Sequence, residues 1–389
     1  MQEIGVGMVG YSFMGRAHSN AYRQVAFFYP EVPLKPVLKA ICGRTKEAVD
    51  AAAQQFGWEE AVYDFDELLA RDDIGLIDIN TPNNMHVAMA IKAAQASKHI
   101  ICEKPLGMNV AETEAALKAV QEAGVVHMLC HNYRRIPAVW LAKQMIEAGL
   151  LGEIYHWRAT YLQDWLMDPS APLFWRCQKE IAGSGALGDL MAHSIDLALW
   201  LVGDIEYVCG SWRTFVKQRP KLERTDSGLG GAGSEEMGEV TVDDATVALA
   251  QFANGALGTF EATRFAAGHK NYNCFEINGS KGSIRFNLER MNELGYYNAQ
   301  DACEEAGFTT IIANADCHPF QGLPGGGPRY WPGGHNIGYE HTFINTIYDL
   351  LEGIDKGQAP HPNFEDGVKI QKVLAAVEQS CQEAGWVTL

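Results

Sequence analysis

Two short segments of this chain place side chains that can manage a proton beside a developing oxygen charge. In Gly183-Ser184-Gly185-Ala186-Leu187-Gly188-Asp189-Leu190-Met191-Ala192-His193, an aspartate and a histidine are four residues apart, which puts both on one face of a helix. In Glu103-Lys104-Pro105, a lysine closes an apolar run. A histidine of ordinary pKa, ~6.5, can accept a hydroxyl proton near neutrality. A lysine ammonium can stabilise an alkoxide as it forms, and a neighbouring carboxylate can hold the imidazole or a substrate hydroxyl. A D-x-x-x-H pair alone is common on surfaces and in cores. Its weight here comes from the glycine run before it and from the EKP segment.

A third segment supplies a partner for such chemistry. Gly10-Tyr11-Ser12-Phe13-Met14-Gly15 lies between the apolar run EIGVGMVG and a helical stretch, RAHSNAYRQVA. It matches G-x-G-x-x-G except that Ser12 takes the middle position. The first glycine permits a tight turn, the third lets helix and strand pack closely, and the helix N-terminus offers unpaired N–H groups to a pyrophosphate. With Ser12, Phe13 and Met14, Gly10 and Gly15 form the expected cradle for NAD(H) or NADP(H). The next apolar run ends in Cys42-Gly43-Arg44-Thr45, with no acidic residue for a ribose. Arg44 could meet a 2′-phosphate, stack on adenine or simply open a helix in solvent, so the choice of dinucleotide stays open. Thr81, Pro82, Asn83 and His86, with Glu103 and Lys104, follow later runs at strand C-termini. There an open α/β sheet binds its ligand, so they join the expected cofactor site.

Positioning these residues takes two kinds of architecture. EIGVGMVG, PVLKAICG, GLIDIN, KHIICEK and VVHMLCH read as buried strands, separated by helical stretches such as TKEAVDAAAQQFG, MHVAMAIKAAQA and VAETEAALKAVQEAG. This alternation predicts a parallel, doubly wound sheet over residues 1–130. A helix from near Ile136 leads into a second domain, 131–389. EIYHWRATYLQ, EYVCGSWRTFVKQ, VTVDDATVALAQF, GALGTFEATRF, NCFEING and GSIRFN read there as longer, often alternating strands joined by turns, hence a largely antiparallel open sheet. Residues 218–239 are polar and glycine-rich and read as a mobile surface loop. A glycine- and proline-rich segment, 322–334, precedes two closing helices, which could pack back on the first domain. The fold class is α/β, an N-terminal dinucleotide-binding domain followed by an α+β domain.

The bulk properties exclude other classes. A chain of 389 residues suggests two domains, and a net charge of −17 with no basic stripe argues against nucleic-acid or membrane-surface binding. No stretch approaches the ~18 apolar residues of a membrane span, and no signal peptide is read at the start. The nine cysteines form no CxxC pair, and their odd number suits reduced thiols in the cytoplasm. HExxH is absent, and His18, His86, His335 and His341 show no metal-ligand spacing, so no catalytic metal is expected.

With EKP and the glycine-rich D-x-x-x-H helix, the whole chain resembles the Gfo/Idh/MocA family of glucose–fructose oxidoreductases and inositol dehydrogenases. The resemblance implies a Rossmann domain, a following open-sheet domain that mediates homodimers or homotetramers, and Lys104, Asp189 and His193 as catalytic residues. We read His193 as the base, Lys104 as the electrostatic stabiliser and Asp189 as the orienter. A Lys104 base remains the alternative. Asn132-Tyr133-Arg134-Arg135, Tyr161-Leu162-Gln163-Asp164-Trp165 and Phe174-Trp175-Arg176 are similar to members that oxidise C3 of glucosides. On that likeness Tyr133, Arg134, Tyr161, Gln163 and Trp165 join Lys104, Asp189 and His193 as expected sugar contacts, and Trp175 and Arg176 as cofactor contacts. Tyr339, just after the glycine-rich segment, is a further expected sugar contact. Flat rings suit the C–H faces of a carbohydrate, and polar ends fix its hydroxyls. The expected function is hydride transfer between a sugar or glycoside secondary hydroxyl and nicotinamide. The rivals are an inositol dehydrogenase, a redox-neutral oxidoreductase that keeps its cofactor, and a non-catalytic NAD(P)-binding sensor.

Overall fold

The computed structural model describes residues 2–225 and 231–389. These divide into two compact units, 2–132 with 225, 231 and 339–371, and 133–224 with 232–338 and 372–389.

In the first unit six strands alternate with helices: β1 (Gln2–Val9), α1 (Phe13–Phe28), β2 (Leu34–Cys42), α2 (Lys46–Phe56), β3 (Glu60–Val62), α3 (Phe65–Leu69), β4 (Leu76–Ile79), α4 (Asn83–Gln95), β5 (His99–Glu103), α5 (Val110–Ala123) and β6 (His127–Cys130). All pairings are parallel, in the order β3-β2-β1-β4-β5-β6. The sequence changes direction between β1 and β4, so their C-terminal ends frame a crevice at the switch point. Every residue of β4 is buried, as expected of a strand covered on both faces. The short β3 and α3 escape a reading of periodicity because three to five residues carry too little pattern.

The second unit opens with α6 (Pro137–Glu147) and builds a nine-stranded sheet from β7 (Ile154–Leu162), β8 (Ile205–Arg213), β11 (Ala245–Phe252), β12 (Leu257–Thr263), β13 (Tyr272–Gly279), β14 (Gly282–Asn287), β15 (Glu293–Asn298), β16 (Thr309–Ile312) and β17 (Val387–Thr388). The order is β16-β15-β14-β13-β7-β12-β11-β8-β17, antiparallel except where β7 meets β12. Burial alternates along β11 and β12, and register puts Val247, Leu249 and Leu257 on one exposed face. Helices α7 (Lys179–Ala182) and α8 (Ala192–Leu201) follow β7, and α9 (Tyr339–Lys356) and α10 (Phe364–Glu383) close the chain.

Segment 218–239 corrects the loop expectation. Its described residues form a two-stranded ribbon, β9 (Gln218–Thr225) with β10 (Gly231–Glu239), and 226–230 lie outside the described residues. Composition argued for a loop because few side chains here are apolar. What holds the ribbon is a buried arginine. Arg219 donates to the carbonyls of Leu166 at 2.6 Å and Asp168 at 2.8 Å, and Leu173 N–H donates to the Pro220 carbonyl at 2.7 Å. The ribbon thereby pins the segment that carries Trp165.

Candidate active site

The residues expected to hold the dinucleotide lie in the first unit. Gly10 has φ +99°, and a Cβ there would overlap the Asn80 carbonyl oxygen, so only glycine suits this turn. Ser12 is the N-cap of α1, but its side chain makes no capping bond, and the first turn holds no acidic residue. The turn's N–H groups are thus left to an anion, which fits the residues to a pyrophosphate. Phe13, about half exposed, stacks on Tyr339 at 6.2 Å, and Tyr339 meets Phe343 edge-on at 5.0 Å. Met14 lies half-buried beside it, and Gly15 is buried. Arg44 is exposed just beyond β2, with Thr45 as the N-cap of α2. Thr81 and Pro82 are half-buried between β4 and α4, as is Asn83, which opens α4, and Lys104 is half-buried just after β5.

Two cofactor expectations are corrected here. The His86 ring is buried, with Nδ1 2.7 Å from the Pro105 carbonyl and Nε2 2.8 Å from the Thr81 carbonyl. It ties the two loops together rather than facing a ligand, and burial holds its pKa below the usual value despite those carbonyls. Glu103 also turns inward. One of its oxygens lies 3.1 Å from His18 Nε2, and the other accepts the Lys104 backbone N–H at 3.2 Å.

The expected Asp189–His193 pair and its neighbours lie in the second unit. Leu187–Met191 forms a π-helical turn leading directly into α8, so Asp189 and His193 sit on one continuous helical run. Asp243 starts that run by accepting the Gly185 N–H at 2.7 Å and the Leu187 N–H at 2.8 Å. A Cβ on Gly185 would overlap the Asp243 backbone, which explains the glycine in this stretch. Asp189 receives an ion pair from Arg264 at 3.0 Å. The arginine side chain is 1% exposed and the aspartate 23%. Arg264 also donates to the Arg176 carbonyl at 3.0 Å and lies 5.6 Å from the Trp165 ring. Trp175 and Arg176 are half-buried, with the guanidinium 4.3 Å over the indole. Beside buried His193, the Tyr133 ring stands at 4.6 Å and the Tyr161 ring at 5.8 Å. Tyr161 donates its hydroxyl proton to Asn271 at 2.8 Å, so Tyr133 is the donor in the 2.9 Å contact between the two hydroxyls. Gln163 donates to the same Asn271 oxygen at 2.9 Å.

Comparison with known proteins identifies the family. The model of the oxidoreductase family with an NAD-binding Rossmann fold matches residues 4–131, and the GFO/IDH/MocA C-terminal domain matches 139–285. The chain belongs to the Gfo/Idh/MocA oxidoreductases. Levoglucosan dehydrogenase of Pseudarthrobacter phenanthrenivorans is 43% identical, over 100% of this chain and 98% of that one. Among solved structures, an oxidoreductase domain protein from Kribbella flavida is 47% identical with a TM-score of 0.92. Levoglucosan dehydrogenase in complex with NADH and levoglucosan is 42% identical with a TM-score of 0.92. Each alignment covers 100% of this chain and 99% of the other.

As a Gfo/Idh/MocA enzyme, the chain carries its nicotinamide dinucleotide site in the Rossmann unit. Three residues beside the candidate site escaped the sequence reading: Arg264, Asn271 and Asp243. Each acts through a contact across more than 50 positions, and no local motif marks it. The only signal was that Asp243 and Arg264 are charged residues at the borders of strands, just before β11 and just after β12. One sugar-contact expectation is corrected. Arg134 is buried in a pair with Asp196, with contacts of 2.6 to 3.1 Å and side chains 3% and 1% exposed. A guanidinium sealed in this way braces the protein interior and is not available to a sugar.

Proposed function

We propose that this enzyme oxidises a secondary hydroxyl of a pyranose-type sugar, C3 of a glucoside or anhydrosugar, with NAD(P) as hydride acceptor. The observation that carries the reading is the group around His193, where two linked tyrosines, Asn271 and Gln163 form one hydrogen-bonded set, with the Trp165 indole against the Arg264 that pairs with Asp189. Such a lining covers C–H faces and fixes hydroxyls. The similarity to levoglucosan dehydrogenase supports the same class.

In this reading Gly10, Ser12, Phe13, Met14 and Gly15 hold the pyrophosphate, and Thr81, Pro82, Asn83, Trp175 and Arg176 flank the dinucleotide. Arg44 faces its adenosine end and bears on NAD against NADP. When bound, the nicotinamide supplies a hydride acceptor at its C4 carbon. The imidazole of His193 takes the hydroxyl proton as the carbinol C–H leaves with both electrons, and the C=O bond forms. The Lys104 ammonium stabilises the oxygen while charge develops on it. Asp189, fixed by Arg264, orients the hydroxyl or the imidazole. Tyr339 contacts the sugar in this reading, near Phe13. The exposed Val247, Leu249 and Leu257 face supports assembly into homodimers or homotetramers, and nine unpaired thiols support the cytoplasm.

The test is a panel of glucosides, anhydrosugars and inositols, with nicotinamide reduction followed by absorbance and both dinucleotides supplied. Turnover on glucosides or anhydrosugars with a 3-keto product is expected. Turnover confined to inositols, or oxidation at another carbon, overturns the assignment. A particle of monomer mass by light scattering at micromolar concentration overturns the assembly.

A further inference from the structure

Beneath the EKP segment lies a buried charged cluster that the reaction above does not use. His18, on α1, is fully buried. Its Nδ1 lies 2.9 Å from one Asp78 oxygen and 3.1 Å from the other, and its Nε2 lies 3.1 Å from Glu103 Oε1 and 3.5 Å from Cys130 Sγ. Asp78 is on β4, Glu103 on β5 and Cys130 on β6, all buried. Asp78 also accepts from the Asn80 amide at 2.7 Å. The Tyr22 hydroxyl on α1 faces Asp78, and from α9 the Phe343 ring stands 5.3 Å from the imidazole.

We infer that His18 is a positioning residue for Lys104: it grips one oxygen of Glu103, whose other oxygen holds the Lys104 backbone N–H. The chain of contacts is unbroken, at 3.1 Å and then 3.2 Å. It also joins the helix that opens at the glycine loop to the strand end that presents the lysine. Two carboxylates cannot share a dry interior without a cation between them, and the imidazole is the group placed to supply it. Burial alone would favour the neutral ring, but Asp78, through charge and hydrogen bond, with Cys130 beside it, raises the pKa well above the usual histidine value. Burial opposes ionisation of Glu103 too, yet His18, by hydrogen bond and charge, with Lys104 adding, holds the carboxyl below its ordinary value. Burial, with the Glu103 charge, pushes the Cys130 thiol up to about 12, so it stays neutral.

The sign for stability follows. The part of the cluster owed to the raised His18 is fully present below the unfolded histidine value. It is lost only as pH rises through the elevated folded value. The part owed to the lowered Glu103 is present above the unfolded carboxyl value and lost as pH falls through the folded one. In His18→Gln the cation is gone and two carboxylates face each other. The loss of thermal midpoint should therefore be largest between the unfolded carboxyl and histidine values, near about pH 6. It should shrink as pH rises through the elevated folded histidine value or falls into the carboxyl range, where one carboxylate takes up a proton.

The test uses the intact chain and the variants His18→Gln and Glu103→Gln. The kinetic arm rests on the dehydrogenase reading above; the titration and stability arms do not, so failure of one is distinguishable from failure of the other. Both variants should lower kcat by about 10-fold to 100-fold, because small misplacement of a reacting group is costly. The dinucleotide Kd should change less than about 3-fold. The double variant should lose no more than the worse single one, since both act through one contact. In the wild-type chain, ring-carbon NMR of labelled histidine should show one imidazole still cationic at pH 8.5. This arm does not depend on a variant that folds. Unchanged kcat in folded variants, multiplying losses, no cationic ring, or a pH-independent loss of midpoint would each overturn the inference. So would one equivalent of a divalent metal in the purified protein, because His18, Glu103 and Cys130 also lie close enough to ligate an ion.

Discussion

Asp189 and Asp196 stand seven residues apart on one helical run, and each is paired with a buried arginine. The chemistry of the two pairs is the same and their settings differ. Arg134 grips Asp196 through several contacts, and neither side chain reaches solvent to any useful extent, at 3% and 1%. Arg264 is as deeply buried, but its Asp189 keeps 23% of its side chain exposed. A sealed pair returns in attraction what its desolvation costs and braces the fold. A pair open on the carboxylate side leaves a fixed anion where a ligand can reach it. His193 lies between the two aspartates in sequence, in contact distance of Tyr133 and Tyr161.

The contrast predicts effects of different kinds, and His193→Ala should give the largest. Loss of a general base typically lowers kcat by ~10²–10⁴-fold, here with dinucleotide affinity nearly intact by calorimetry. A kcat within a few-fold of wild type would move the base role to Lys104. Asp196→Asn should act on stability instead. Removing the charged half of this buried pair should cost about 3–5 kcal/mol in denaturant unfolding, while kcat of the folded fraction stays near wild type. Substantial loss of kcat without loss of stability would erase the distinction between the two aspartates.

Asp189→Asn should reverse that pattern. Losing a charged hydrogen bond, worth roughly 1.5–3 kcal/mol, should lower kcat/KM by about 10-fold to 150-fold. The loss of stability should be smaller than in Asp196→Asn, because Arg264 keeps the Arg176 carbonyl and the Asp189 side of the pair is partly exposed. The smallest effect belongs to Arg264→Lys, which keeps the charge but cannot reach both Asp189 and the Arg176 carbonyl. A loss of about 5-fold to 10-fold in kcat/KM, as expected for one hydrogen bond of ~1 kcal/mol, should appear with little change in stability. If this variant unfolds as readily as Asp196→Asn, the Arg264 pair is part of the structural frame and the comparison collapses.

What could be read before folding differed between the two units for one physical reason. The glycine loop, EKP and D-x-x-x-H are contiguous strings, and their turn or helix geometry follows from neighbours a few positions away. Gly10 needs a positive φ, and that requirement shows in the residue type itself. The surroundings of Asp189 and His193 are assembled from β7, the segment pinned by Arg219, the residue after β12 and the residues before β13. Asn271 and Arg264 become partners of Gln163 and Asp189 only through strand pairing. The ribbon at 218–239 was misread because composition reports polarity but not the buried arginine that anchors it.

By itself, then, the sequence determined the alternation of strand and helix, the dinucleotide turn and the residue types able to move a proton and hold an alkoxide. Those depend on local backbone preference and on intrinsic acidity. Tertiary structure alone decided which charged groups are sealed and which are open. Arg134 was turned into a brace and His86 into a tie between loops, while Glu103 was drawn inward to His18. Burial and pairing are set by residues distant in the chain, and they decide whether a charge serves the fold or a ligand.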